Sequence, residues 1–312
     1  MFIEQTMTFA TRALFLILLL LTPVAGLCAT FRVASFNLES YLDTATSTRP
    51  AKSAESKNKI RESILALKPD VLALQELGSL SALEELQDHL KVDGLDLPHY
   101  QFISAADTNI HLAVLSKFPL VESRPHTNDS FLLSGRRFHV SRGFAEVDIS
   151  VNPDYSFTLI AAHLKSRRAM AEADEAEMRL EEAKILREII DARLEKEPNQ
   201  NLVVLGDFND TKDSAPARTV IGRGKTKLID TRPAERNGDE IPTDSPGLDR
   251  RQVTWTHYYA KEDTYRRIDF LLLSKGMARE WIPNETYVLS LAHWGLASDH
   301  RPIVAAFKAQ EK

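Results

Sequence analysis

The stretch VVLGDFND, residues 203–210, runs from apolar Val203, Val204 and Leu205 through Gly206 into Asp207, Phe208, Asn209 and Asp210. An apolar run of this kind reads as a strand buried on both faces. Three polar side chains that are costly to desolvate then stand at its end and need a reason. The same ending recurs along the chain. Four further apolar runs end in Asn37 and Glu39, in Gln75 and Glu76, in His163 and Lys165, and in Asp269 preceded by Arg267. Ser298, Asp299 and His300 stand directly before the last run. One such ending is ordinarily a solvated turn or a helix cap. Six together suggest strand ends converging on one edge, where α/β folds commonly build their sites. That pocket would hold Glu39, Glu76, Asp207, Asp269 and Asp299. Like charges so close oppose one another's ionisation. A hard divalent cation with oxygen ligands relieves this, Mg²⁺ first, with Mn²⁺ or Ca²⁺ as alternatives.

Between these endings, short apolar runs alternate with amphipathic stretches. NKIRESILALKPD, residues 58–70, places Ile60, Ile64 and Leu67 on one face and stops before Pro69, which predicts a helix. A long, charge-rich helix is expected from Arg168 to Lys196, with Met178, Leu180, Ile185, Leu186, Ile189 and Leu194 as its apolar side. The polar stretch 222–265 reads as long loops. The pattern is that of a single α/β domain with sheets covered by helices.

The chain has 312 residues, is 43% hydrophobic and carries a formal charge of −5. This excludes a largely disordered chain and advertises no basic face for clamping nucleic acid, although a local patch can hide within a mean. Residues 1–29 read as a signal peptide: Arg12, an apolar run over Ala13–Thr22, Pro23, then small residues. Cleavage near Ala29 would remove Cys28, the only cysteine, and exclude a cysteine nucleophile or thiolate metal site. Residues 30–312 then form the domain, exported to the periplasm or secreted. No protein partner is evident, so a monomer is expected.

The ordered set ASFNLES (34–40), LALQEL (72–77), AAHLKS (161–166), VLGDFND (204–210), RRIDFLLLS (266–274) and SDHRPIVAAF (298–307) resembles the motifs of the endonuclease/exonuclease/phosphatase superfamily, the DNase I-like fold. The resemblance covers residues 31–308. It implies a four-layer α/β/β/α sandwich, two packed mixed β-sheets flanked by helices, with the site at one edge. It further implies metal ligation by Glu76, with Glu39 and Asp299 beside it, and phosphate contacts from Asn37, Asn209 and Lys165. Asp207 would position and activate the attacking water, although Asp-x-Asn also suits a turn. Asp269 and His300 would act as a dyad, and His163 would meet the phosphate or the leaving oxygen. A lone histidine is usually structural, and His111, His139, His257 and His293, which lie outside the motifs, read as surface or loop residues. Arg142, Arg167 and Arg168 are candidates for the mouth, the last two reading equally as a solvated helix start.

The expected activity is divalent-metal-dependent hydrolysis of a phosphodiester by in-line attack of water. A secreted nuclease or general phosphodiesterase, with nucleic acid as substrate, is favoured. A sphingomyelinase-type or inositol-phosphate lipid phosphoesterase is the alternative, and Trp255, Tyr258 and Tyr259 could serve its membrane contact, pack beneath their loop or stack a base. A non-catalytic binding module is the third reading.

Overall fold

The computed structural model describes residues 29–236 and 252–309. The expected signal peptide up to Cys28 and residues 237–251 of the polar stretch lie outside the described residues. One sheet has seven strands in the order β12 (Ala234–Glu235), β16 (Trp281–Val288), β17 (Ile303–Ala309), β1 (Ala29–Tyr41), β2 (Val71–Leu77), β4 (His111–Ser116) and β3 (His99–Ile103). The other has six: β11 (Ile229–Asp230), β15 (Asp269–Leu273), β10 (Leu202–Asp207), β9 (Tyr155–His163), β8 (Phe144–Asn152) and β5 (Leu120–His126). Both are mixed, with β1–β2 parallel in the first and β9–β10 parallel in the second. Two hairpins stand apart: β6–β7 (Ser130–Leu133, Arg136–His139) and β13–β14 (His257–Tyr259, Thr264–Arg266).

Three apolar layers hold the sandwich. Phe31, Val33, Val71, Ala73, Leu159, Ala161, Val203, Leu205 and Leu271 fill the space between the sheets. Ala34, Phe36, Leu72 and Leu74 face the other way, onto α1 (Ala54–Leu67) and α2 (Leu80–Val92). Ile160, Ala162, Val204, Phe270 and Leu272 meet α3 (Glu175–Lys196) and α4 (Ala215–Ile221). This is the expected four-layer arrangement. It follows from strand alternation, because each central strand is apolar on both faces and each face needs a partner layer.

The same alternation answers the question posed by VVLGDFND. Counting along β10, Val203 and Leu205 face the inter-sheet layer, so Asp207 does too. On β9, Leu159 and Ala161 precede His163 at the same parity; on β1, Phe31 and Val33 precede Ser35 and Asn37; on β15, Asp269 shares the parity of Leu271. The inter-sheet core thus ends at one rim in a polar layer contributed by both sheets.

The helices differ from expectation in one respect. The long helix begins at Glu175 rather than Arg168, because Asp174 caps it by accepting from the amides of Ala176 and Glu177. Residues 168–173 are left as loop outside the helix. Its buried line is Met178, Ala183, Leu186, Ile190 and Leu194, interleaved with buried Arg179, Glu182 and Arg187, while Leu180, Ile185 and Ile189 are only half-buried. The buried charges are matched: Glu182 accepts from Ser141 N and Oγ and from Lys165 N, and Arg179 donates to the Lys165 carbonyl and to Asp210. Short strands β11 to β14 interrupt the stretch read as loops. Among the described residues, no helix is long and apolar enough to cross a membrane.

Gly206 carries a sharp constraint. Its φ is +130° and a Cβ there would overlap the Ala162 carbonyl oxygen on β9, its register partner. Only glycine lets β10 approach β9 so closely just before Asp207. Gly206→Ala is expected to destabilise the fold by about 3 kcal/mol or more, read as a lowered urea midpoint with unchanged slope.

Candidate active site

Strand register lines up the polar rim. Asp207 pairs with His163 on one side and Asp269 on the other, so three polar residues stand abreast across β9, β10 and β15. In the facing sheet Asn37 pairs with Gln75. The two rows meet where Asn37 Nδ2 donates to Asp207 Oδ2 at 2.9 Å, a buried contact between sheets. Glu76 would face the helices if β2 simply alternated. Instead its φ is +65° and the register shifts between Gln75 and Leu77, so Leu77 takes the helix side and Glu76 turns to the rim. β1 bends likewise at Glu39 and Ser40, with φ of 48° and 58°. Positive φ at four such non-glycine positions (Asn209 is the fourth, at 53°) is backbone strain concentrated at one place.

His300 is brought in from the segment before β17. Ser298 Oγ donates to the Asn37 carbonyl at 2.8 Å and accepts from His300 N at 3.0 Å, tying the segment to β1. Nδ1 of His300 lies 2.9 Å from Asp269 Oδ2, and its Nε2 lies 3.6 Å from Asp207 Oδ2 and 3.9 Å from Asp299 Oδ1. Burial opposes charge on this ring, but Asp269, Asp207 and Asp299 outweigh it and raise the pKa well above the ordinary value. His163 goes the opposite way. Burial first, then the Arg142 guanidinium, pushes its pKa well down, so it is a neutral imidazole. Its Nε2 lies 3.6 Å from Asp207 Oδ2 and 3.9 Å from Glu76 Oε1, and its Nδ1 has no hydrogen-bond partner among the described residues. Asp207 therefore sits between one charged and one neutral ring. Burial, aided by Asp269, raises its own pKa, against hydrogen bonds from Asn209 N and Asn37 Nδ2. Two imidazoles with opposite proton occupancy around one carboxylate can divide acid and base work between them.

Glu76 spends one oxygen on its neighbours. Oε2 accepts from Ser40 N, Ser40 Oγ and Arg49 Nη1, the last at 2.9 Å. Burial works against its charge, yet the Arg49 and Arg142 guanidiniums, which stay charged beside a neutral His163, lower its pKa and keep it an anion. Oε1 remains toward the interior. Glu76 Oε1, Asp207 and Asp299 are oxygen donors suited to a hard divalent ion, and the raised pKa of Asp207 marks the charge such an ion would relieve. Asp207, Asp269 and His300 also place one ligand atom each within 4.8 Å of one another, as do His257, Asp299 and His300.

The rim opens into a cleft of about 730 Å³ lined by Glu39, Glu76, Asp207, Asn209, Asp299 and His300 among others. Asn37, His163 and Asp269 form its buried floor by their contacts with Asp207 and His300. Nine of the ten residues singled out in the sequence are thus gathered here. Lys165 is not: its amine donates to the carbonyls of Ser166 and Arg168 and braces its own loop, because Glu182 and Arg179 fix that loop's backbone. Asn209 reaches the cleft with its amide already donating to the Leu164 carbonyl, and its N–H closes an Asx turn on Asp207, so the turn reading also applies. Glu39 leans outward, 3.2 Å from Lys52 Nζ, and burial with nearby Asp299 raises its pKa.

Residues outside the motifs complete the wall. His257, read as a loop residue, packs its ring 4.5 Å from that of His300 and lies 3.4 Å from Asp299 Oδ2. It is held there because Tyr258 N donates to the Asp299 carbonyl and Thr256 Oγ1 accepts from Asp269 N. A histidine two residues after Trp255 carries no sequence signal for this. Arg49, on the loop before α1, was equally silent. His111 is buried against Phe102 rather than on the surface, while His139 and His293 are exposed. Arg142 is buried, 3.3 Å from Asp107, and Arg167 and Arg168 lie on a loop rather than a helix start and line the cleft. Trp255 packs under its loop against Tyr265, Trp294 and Arg301; Tyr258 stacks on Tyr265; Tyr259 faces the cleft.

Comparison with solved structures gives the same architecture. The human Nocturnin catalytic domain, solved with a bound sulfate anion, superposes with a TM-score of 0.60 at 17% identity, covering 90% of this chain and 95% of that one. Sphingomyelinase C from Streptomyces griseocarneus does so at 0.60 and 18%, covering 90% and 100%. Truncated TDP2 from Caenorhabditis elegans gives 0.58 and 16%, covering 90% and 98%. At such identities these likenesses speak for the fold alone. Among curated proteins none matches the sequence. The family profile described as Endonuclease/Exonuclease/phosphatase matches residues 34–300, from the strand carrying Asn37 to His300 itself. The chain belongs to the endonuclease/exonuclease/phosphatase family and has its phosphoesterase fold.

Proposed function

We propose that the protein is a divalent-metal-dependent phosphodiesterase whose favoured substrate is nucleic acid, acting after export. The observation that carries the hydrolase reading is the convergence of Asn37, Glu76, His163, Asp207, Asp269 and His300 on one cleft floor. Glu76 Oε1, Asp207 and Asp299 would hold the ion, Mg²⁺ by donor type, with Glu39 at the edge. When bound, it would neutralise charge on the phosphate and its leaving oxygen. Asp207 orients a water and accepts its proton at a carboxylate oxygen. His300, steered through Nδ1 by Asp269, presents a charged Nε2–H to a non-bridging oxygen, where negative charge grows. His163, a neutral imidazole whose Nε2 lies close to both Glu76 and Asp207, has one N–H to donate to the phosphate or the leaving oxygen. Asn37 fixes Asp207 so that its free lone pairs face the cleft.

Support for a polyanionic substrate comes from the cleft mouth. Arg49, Arg167, Arg168, Lys261 and Arg266 all line it, on a chain whose formal charge is −5. Set beside Glu39, Glu76, Asp207, Glu262 and Asp299 in the same lining, these bases give a mixed mouth in which cations stand within reach of a phosphate backbone, next to acids that a divalent ion would offset. The lipid reading has one observation in its favour, the exposure of Tyr259 and Tyr265 on the hairpin beside the cleft, at 38% and 54%.

Asp207→Ala and His300→Ala are expected to keep a native circular dichroism spectrum while kcat drops by about two to four powers of ten; near-native turnover in both would refute the assignment. Chelation should abolish hydrolysis and Mg²⁺ or Mn²⁺ restore it, whereas chelator-resistant turnover argues against a metal. Across plasmid DNA, RNA, sphingomyelin and bis-p-nitrophenyl phosphate, nucleic acid cleavage should be fastest and weaken steeply with salt. Preferential turnover of sphingomyelin would favour the lipid alternative.

A further inference from the structure

We infer that Arg49 is the residue that grips the substrate's phosphate, taking the place that the sequence assigned to Lys165. The inference rests on the phosphodiesterase reading of the cleft. Lys165 is turned into its own loop and gives the floor no amine, while Arg167 of the same loop lines the cleft with its guanidinium already on Asp210. Arg49 enters from the opposite wall. Its loop is closed on itself, with Thr46 N donating to the Arg49 carbonyl at 2.8 Å and Arg49 N donating to Thr46 Oγ1 at 3.1 Å. Lys52 N then donates to the Leu42 carbonyl at 2.9 Å, pinning the loop's exit beside its entry. Arg49 is thus delivered on a braced turn rather than a loose segment.

Among the described residues the guanidinium donates only through Nη1, to Ser40 Oγ and to Glu76 Oε2. Nε and Nη2 have no hydrogen-bond partner among the described residues. They are not buried orphans, since the side chain is 25% exposed and lines the cleft. A guanidinium held by one nitrogen, on a side chain that lines the cleft, suits the planar, two-pronged recognition of phosphate that lysine cannot offer. The same hold decides which oxygen of Glu76 is free. Oε2 is saturated by Ser40 and Arg49, so Oε1 alone points to the interior. Arg49 therefore binds on the phosphate side and orients Glu76 on the other. These two roles separate experimentally, because added phosphate reads the first and metal binding at Glu76 reads the second.

The test is inorganic phosphate binding to Mg²⁺-saturated full-length protein by calorimetry, beside Mn²⁺ binding in phosphate-free buffer by electron paramagnetic resonance. In Arg49→Gln, phosphate affinity should fall about tenfold or more while Mn²⁺ affinity stays within about threefold, with Arg49→Lys recovering part of the phosphate affinity. Phosphate affinity unchanged within about twofold in Arg49→Gln overturns the inference, as does a parallel loss of Mn²⁺ binding of the same size, which would make Arg49 only a support for Glu76. Absence of phosphate binding to the unaltered protein also overturns it. If instead the unaltered protein hydrolyses no diester but binds phosphate through Arg49, the phosphodiesterase reading fails and the anion site stands.

Discussion

The hydrogen bond from Asn37 Nδ2 to Asp207 Oδ2 is the contact on which the site depends. It joins the central strand of one sheet to the central strand of the other, where the inter-sheet core runs out of apolar side chains. Both residues are almost wholly buried. Leaving either partner alone there would cost about 1–3 kcal/mol, more when the survivor is charged. The core above must therefore set the sheets at the spacing that satisfies this pair. Leu205 and Val33 serve the chemistry by fixing the distance between a carboxylate two residues further on and an amide four residues further on.

Strain and close approach gather at the same rim. Gly206 lets β10 press against β9 just before Asp207, and left-handed backbone at Glu39, Ser40, Glu76 and Asn209 turns strand ends that would otherwise continue their alternation. Such conformations persist only where surrounding contacts over-determine them. Those contacts are visible: Ser40 on Glu76, Asp207 on Asn209 N, Ser298 on the Asn37 carbonyl, and Glu182 beneath the loop after His163. Electrostatics follow from this enclosure. Burial would discharge every group, and the pattern of neighbours decides which keep charge: His300 beside three acids does, His163 near Arg142 does not, and Glu76 near Arg49 and Arg142 stays an anion.

Much of this was legible in the sequence because strand alternation is a strong code. An apolar run buried on both faces that ends in Asp or His must place that residue in one of two layers, and the recurrence of such endings marked the rim. The long helix was less legible. Its start depended on Asp174 as a cap, and its buried face includes Arg179, Glu182 and Arg187, whose partners come from distant loops that periodicity cannot see. Arg49 and His257 were silent for a related reason. Each reaches the cleft through loop geometry, Arg49 by a turn closed on Thr46 and His257 by backbone pairing with the His300 segment. Lys165 shows the converse. Its position after His163 was informative, but the direction of a long flexible side chain was set by carbonyls on its own loop.

A polar end of the inter-sheet core that forms one site around a divalent ion should take up Mn²⁺ in the crystal. Anomalous diffraction from crystals equilibrated with Mn²⁺ tests it most directly. A peak is expected between Glu76 Oε1 and Asp207, at coordination distances of about 2.1–2.4 Å, with Asp207 still bonded to Asn37. Mn²⁺-saturated crystals with no peak in this cleft, or with Glu76 still facing only Arg49 and Ser40, would contradict it.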